Sequence, residues 1–131
     1  EAVIRDAGAF GPTHAPLVAL RACADAAREA VCAEQVEAFG AALVANTEAQ
    51  RALHPALIGA DASRMIAIAR AAGAIGWKVN GAGGAGGTVS VLAARGDASR
   101  RRIEEAVMTC AGGYRLIPVR CAREGVVVTA R

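Results

Sequence analysis

The stretch Gly76-Trp77-Lys78-Val79-Asn80-Gly81-Ala82-Gly83-Gly84-Ala85-Gly86-Gly87 is where residue type and spacing could do chemistry. Five of its last seven positions are glycine, and ordering so much glycine carries a heavy backbone-entropy cost. A plain hairpin turn needs only one or two residues at positive φ. Two readings stand: a flexible hairpin, or a loop that lets backbone N–H groups close on an anion such as phosphate. The entropy cost favours the second. The run is not a Walker loop, because no Gly-Lys-Ser/Thr closes it. Nor is it a dinucleotide fingerprint, because a strand pattern follows where a helix would be required.

The elements that must position this loop are legible from periodicity. Residues 1–12 end in the breaker cluster Gly8-Ala9-Phe10-Gly11-Pro12 and read as the tail of an upstream region, leaving 13–131 as one domain. Thr13 is expected to cap a helix with Pro16 in its first turn and Leu17, Leu20, Ala24, Ala27 and Val31 on one face. A second helix carries Val36, Phe39, Leu43 and Val44 and runs to about Leu53, before Pro55 and Gly59. Asp61 is expected to cap a third, Ala62 to Ala72, which Gly73 ends. The period then changes to two: Trp77 and Val79 alternate with Lys78 and Asn80, and Val89, Val91 and Ala93 share a face beyond the glycines. Asp97 is expected to cap a fourth helix with Ile103, Ala106, Val107 and Cys110 inward. Strands at 114–120 and 125–129 close the pattern, the first at a sheet edge because Pro118 cannot donate to a ladder. The order predicts an α+β fold: a four-stranded antiparallel sheet covered by helices on one face, ferredoxin-like.

Composition narrows the function classes. Hydrophobic residues are 54% and charged residues 21% of the 131, which argues for an ordered core. No long uncharged apolar run suggests a membrane span. The net charge of +3 is nearly all arginine, since Lys78 is the sole lysine, and aromatics are 3%. The Arg100-Arg101-Arg102 cluster therefore reads as a solvated helix face, and nucleic acid is not an expected partner. An RNA-binding sheet would need more stacking surface than Trp77 and Tyr114 provide. Cys23, Cys32, Cys110 and Cys121 form no CxxC pair, so no metal site is expected; they read as reduced, mostly buried thiols of a cytoplasmic protein.

The segment Lys78-Val79-Asn80-Gly81-Ala82-Gly83-Gly84-Ala85-Gly86 resembles the third motif of the GHMP kinases (galactokinase, homoserine, mevalonate and phosphomevalonate kinases). That motif reads roughly K-x-S/T-G-A-G-G-G-G, lies between two strands and follows an Ala/Gly-rich helix end, here Ala71-Ala72-Gly73-Ala74-Ile75-Gly76. The similarity runs from about Asn46 to Leu92, and the order of elements fits the family's C-terminal domain. It implies one half of a kinase that moves the γ-phosphoryl group of ATP to a small metabolite. ATP and Mg2+ would be held mainly by an N-terminal domain of the same polypeptide, which would also supply the catalytic acidic residue. By the same resemblance Asn80, Gly81, Ala82, Gly83, Gly84, Ala85 and Gly86 line the phosphate and acceptor cleft. Catalysis of this kind is positioning and charge stabilisation, so half a cleft should be inactive alone. Asn80 stands where Ser or Thr is usual, and Ala85 where glycine is usual, a departure that would be strained at positive φ. A looser similarity to heptose-phosphate kinases rests on Asn46, Gln50 and Leu53-His54-Pro55, and points to a sugar or sugar-phosphate acceptor.

Other polar residues have plainer readings. His54, at a helix end, can satisfy terminal carbonyls or contact the acceptor. Lys78 is a solvent-facing strand residue or an electrostatic contact to the acceptor. His14 reads as surface, Asn46 and Gln50 as a polar helix face or acceptor contacts, and Trp77 as core. No catalytic constellation is legible. The competing reading is a stand-alone α+β module that binds a small anion through the glycine loop.

Overall fold

The computed structural model describes residues 10–11, 13–81, 86–120, 124 and 128–129. Among them are four α-helices, α1 (Ala15–Cys32), α2 (Val36–Leu53), α3 (Ala60–Ala71) and α4 (Asp97–Thr109), a 3-10 turn Pro55–Leu57, and strands β1 (Ala74–Asn80) and β2 (Thr88–Ala93). The class is α+β, and the two strands pair antiparallel with Trp77 opposite Val91, Lys78 opposite Ser90 and Asn80 opposite Thr88. Ile75 is an extra residue between the Ala74–Ala93 and Gly76–Leu92 pairs, a β-bulge.

The hairpin is covered from both sides, not one. Because side chains alternate across a strand, Trp77, Val79, Val89 and Val91 share a face. Val79 is 1% exposed and joins Ile58 and Ile66, with Trp77 and Val89 packed against them. Val91 and Ala93 continue the layer onto Ala69, Ile103 and Val107 of α3 and α4. Trp77 is thus in the core, as its alternation predicts. On the opposite face Gly76 meets α2. A Cβ on Gly76 would lie 2.6 Å from the Cα of Gly40, and one on Gly40 would lie 2.5 Å from the carbonyl oxygen of Ile75. Gly40 weakens a helix interior by about 1 kcal/mol relative to alanine; its missing side chain is what lets backbone touch backbone. Two turns further on, Thr47 is fully buried, its hydroxyl 3.1 Å from the carbonyl of Trp77 and 3.2 Å from that of Leu43.

Several helix starts differ from expectation. α1 begins at His14 without a side-chain cap; Pro16 does stand in its first turn. Glycines, Gly59 and Gly96, hold the cap positions of α3 and α4, and neither Asp61 nor Asp97 makes a cap bond. Both aspartates instead lie inside the first turn, where a negative charge meets the positive end of the helix dipole. Gly73, at φ 95°, ends α3 as its position predicts.

The sheet among the described residues has two strands, not four. Residues 114–120 form no ladder: Pro118 lacks a donor, and Leu116, Ile117 and Val119 are 50%, 63% and 86% exposed. Of the expected strand at 125–129, residues 125–127 lie outside the described set. The thiols also differ from expectation: Cys32 is exposed, Cys23 and Cys110 are half-buried, all three are free, and Cys121 is outside the described residues. Arg100, Arg101 and Arg102 are exposed as expected. Arg100 pairs with Asp97 and Glu104 at 3.5 and 3.9 Å, and Arg102 donates to the Ala72 carbonyl at 3.0 Å. No described helix is long and apolar enough to cross a membrane.

Gly40→Ala tests the helix–strand contact with a definite sign. On propensity alone it would stabilise α2, but the forced clash with rigid backbone costs about 1–3 kcal/mol. The urea midpoint is expected to fall; a rise would mean that α2 and β1 do not touch there. Thr47→Val, which keeps the volume and strands a carbonyl, is expected to lose about 1–3 kcal/mol in the same titration.

Candidate functional site: the glycine hairpin

The hairpin presents two different surfaces beside its loop. On the face turned away from α3 and α4 stand Lys78, Asn80, Thr88 and Ser90, an unbroken polar patch made by cross-strand register. The Asn80 side-chain amide donates to the Thr88 hydroxyl at 3.2 Å and to the Ser90 hydroxyl at 3.0 Å. Asn80 therefore ties the two strands together at the mouth of the loop. Lys78 is half-buried, its ammonium donating to the Val79 carbonyl at 3.0 Å, so it is not the fully solvated strand residue that alternation alone suggests. Thr88 and Ser90 were not singled out by sequence; their signal was the pairing of residues equidistant from the glycine run, which places them opposite Asn80 and Lys78.

The loop leaves β1 through Gly81, at φ 69°, and enters β2 through Gly87, at φ 113°. L-residues are strained in both conformations. Among the described residues, a Cβ on Gly86 would meet nothing within 4 Å. No described neighbour requires glycine at 86. Ala82, Gly83, Gly84 and Ala85 lie outside the described residues.

On the other face, a cavity of about 210 Å3 opens at the foot of the loop. Gly86, Gly87 and Thr88 form one wall, and Met65, Val79 and Val89 the floor. Tyr114 closes the side, its hydroxyl donating to the Asp61 carbonyl at 3.2 Å.

His54 is elsewhere in the chain's local order. Its ring Nδ1 accepts from the Ala56 N–H at 3.1 Å, capping the 3-10 turn, and its own N–H donates to the Gln50 carbonyl. The histidine thus caps the start of the next turn as well as ending α2. It does not line the cavity beside the loop. Asn46 and Gln50, one turn apart on α2, each hold a buried side-chain oxygen without a described hydrogen-bond partner, so they are not a solvated polar face. His14 is half-buried and stacks on Phe10 with ring centroids 4.0 Å apart. Among the described residues no cluster of His, Cys, Asp or Glu could hold a metal ion.

No family model matches the chain, and no curated protein or solved structure matches it.

Gly81→Ala is expected to lower stability by about 1–2 kcal/mol, because it forces a Cβ into the left-handed region. Gly86→Ala is expected to leave the denaturation midpoint unchanged within error. Equal losses at the two positions would contradict the loop geometry described here.

Proposed function

We propose that this chain is the C-terminal half of an ATP-dependent small-metabolite kinase of the GHMP type. Its role is to set a glycine-rich loop against the phosphates and the acceptor, and it is inactive alone. The observation that carries this reading is Gly86. An exposed glycine that no described neighbour crowds leaves bare backbone at the loop's surface, the property a phosphate-contacting segment needs. The polar patch of Lys78, Asn80, Thr88 and Ser90 supports the same reading, since it places a lysine and hydroxyl groups on the two strands that flank the loop. Gly81, Ala82, Gly83, Gly84, Ala85 and Gly86 would line the cleft. Lys78 and His54 are the proposed acceptor contacts, though His54 is spent partly on capping. ATP and Mg2+ would be bound chiefly by an N-terminal domain, in a cytoplasmic enzyme acting on a sugar or another small hydroxylated metabolite.

The reading also extends the sheet. The outer edge of β2 is open among the described residues, and the exposed Leu116, Ile117 and Val119 border the groove beside it. In the ferredoxin-like four-stranded arrangement, residues 114–120 and 125–129 would supply the two further strands.

The purified chain is expected to show no phosphoryl transfer from ATP to any acceptor, and the coding region upstream of Glu1 to continue into a nucleotide-binding domain of roughly 150 residues. Turnover by the pure chain, or a start codon directly before Glu1, would sink the kinase reading. Saturable heat on titrating phosphate esters into the chain would then favour the stand-alone anion-binding module.

A further inference from the structure

We infer that the cavity at the foot of the loop seats the body of the acceptor, and that this acceptor is a small uncharged or ammonium-bearing polyol, not a phosphorylated one. The assignment of the ligand as an acceptor rests on the kinase reading; the preference for charge rests on the cavity alone.

Size sets the first limit. At about 210 Å3 the cavity is smaller than the roughly 300 Å3 at which sites for drug-sized ligands begin. It holds the volume of about seven waters, which suits a hexose or a smaller alcohol. Charge sets the second. Among the described residues Asp61 is the one lining residue with a formal charge; Arg100, Arg115 and Arg120 line the adjoining groove instead. The start of α3 also borders it, through Asp61 and Ala62, and brings about half a positive charge. The aspartate contributes a full negative one, so the sum is negative. A phosphate dianion would be desolvated there without a cation to receive it.

The lining chemistry agrees with a polyol. Met65, Val79, Val89 and the Tyr114 ring offer apolar contact for the C–H faces of a carbon skeleton. The bare backbone of Gly86, Gly87 and Thr88 supplies hydrogen bonds at the end nearest the loop. Lys78 stands on the opposite face of the hairpin, beside Ser90. The hairpin thus separates a cationic, hydroxyl-rich side from an apolar, acidic side, and both meet at the glycine loop. This favours an unphosphorylated acceptor over the sugar phosphate suggested by the Asn46-to-Pro55 segment.

The test uses the whole chain, labelled with nitrogen-15, and follows the backbone amides of Met65, Gly87, Thr88 and Tyr114 by NMR. Glucose and serinol are titrated against glucose 6-phosphate and glycerol 3-phosphate. Saturable shifts are expected with the first pair, and binding at least tenfold weaker with the second. Asp61 is exposed, so Asp61→Asn and Asp61→Lys should both fold; the first is expected to shrink the preference and the second to reverse it. Phosphorylated probes that bind as tightly as the unphosphorylated ones, a preference untouched by both variants, or no saturable shift with any probe would overturn the inference. The kinase reading fails on different ground, a missing upstream domain, and would leave a charge-selective polyol pocket standing.

Discussion

Backbone against backbone, α2 on β1 at Gly40 and Gly76, is the contact on which the rest of this structure hangs. Two glycines are needed because one would not suffice: a Cβ on either side would strike the partner's main chain, which has no rotamer to escape into. The approach brings Thr47 within reach of the Trp77 carbonyl. That bond fixes the position of β1 along α2, and with it the point at which the strand runs out at Asn80. The loop is therefore held at its base by rigid elements, the condition under which a flexible, glycine-rich tip can still be aimed.

Much of this was legible in the sequence. The helix stop at Gly73 and the change from three-and-four spacing to alternation from Ile75 located the switch from α3 to β1. The alternation of Trp77 and Val79 with Lys78 and Asn80 predicted which side of β1 enters the core, and Val79 at 1% exposure is the outcome. The helix caps were not legible. Aspartate is a strong statistical cap, yet glycines immediately before the first turn, two residues before Asp61 and one before Asp97, took the cap positions of α3 and α4. The second covered face was missed for a related reason. Gly40 lies inside an alanine-rich helical pattern and carries no apolar signal, because its function in packing is to be absent.

The chain's later strands show where local pattern runs out. Leu116, Ile117 and Val119 have strand-forming character, but a strand is made by its neighbours and not by its own residues. Among the described residues nothing pairs with them. Pro118 removes one donor from the middle of the run, so whichever edge it joins must tolerate a missing bond.

The site itself was legible as a loop and not as a surface. Sequence marks the glycines, and a resemblance can say what such glycines contact elsewhere. What neither supplies is the division made by the pleat. Residues 78, 80, 88 and 90 fall on one face and 79 and 89 on the other only once the register is set. A slip of one residue would put Ser90 and Thr88 into the core and carry Val89 to the polar side. The bulge at Ile75 absorbs such a slip at the far end of the hairpin, leaving the pairs next to the loop in step. The chemistry at the glycines, a lysine on one side and an aspartate-bearing cavity on the other, is thus a consequence of strand register, which in turn depends on where α2 holds β1.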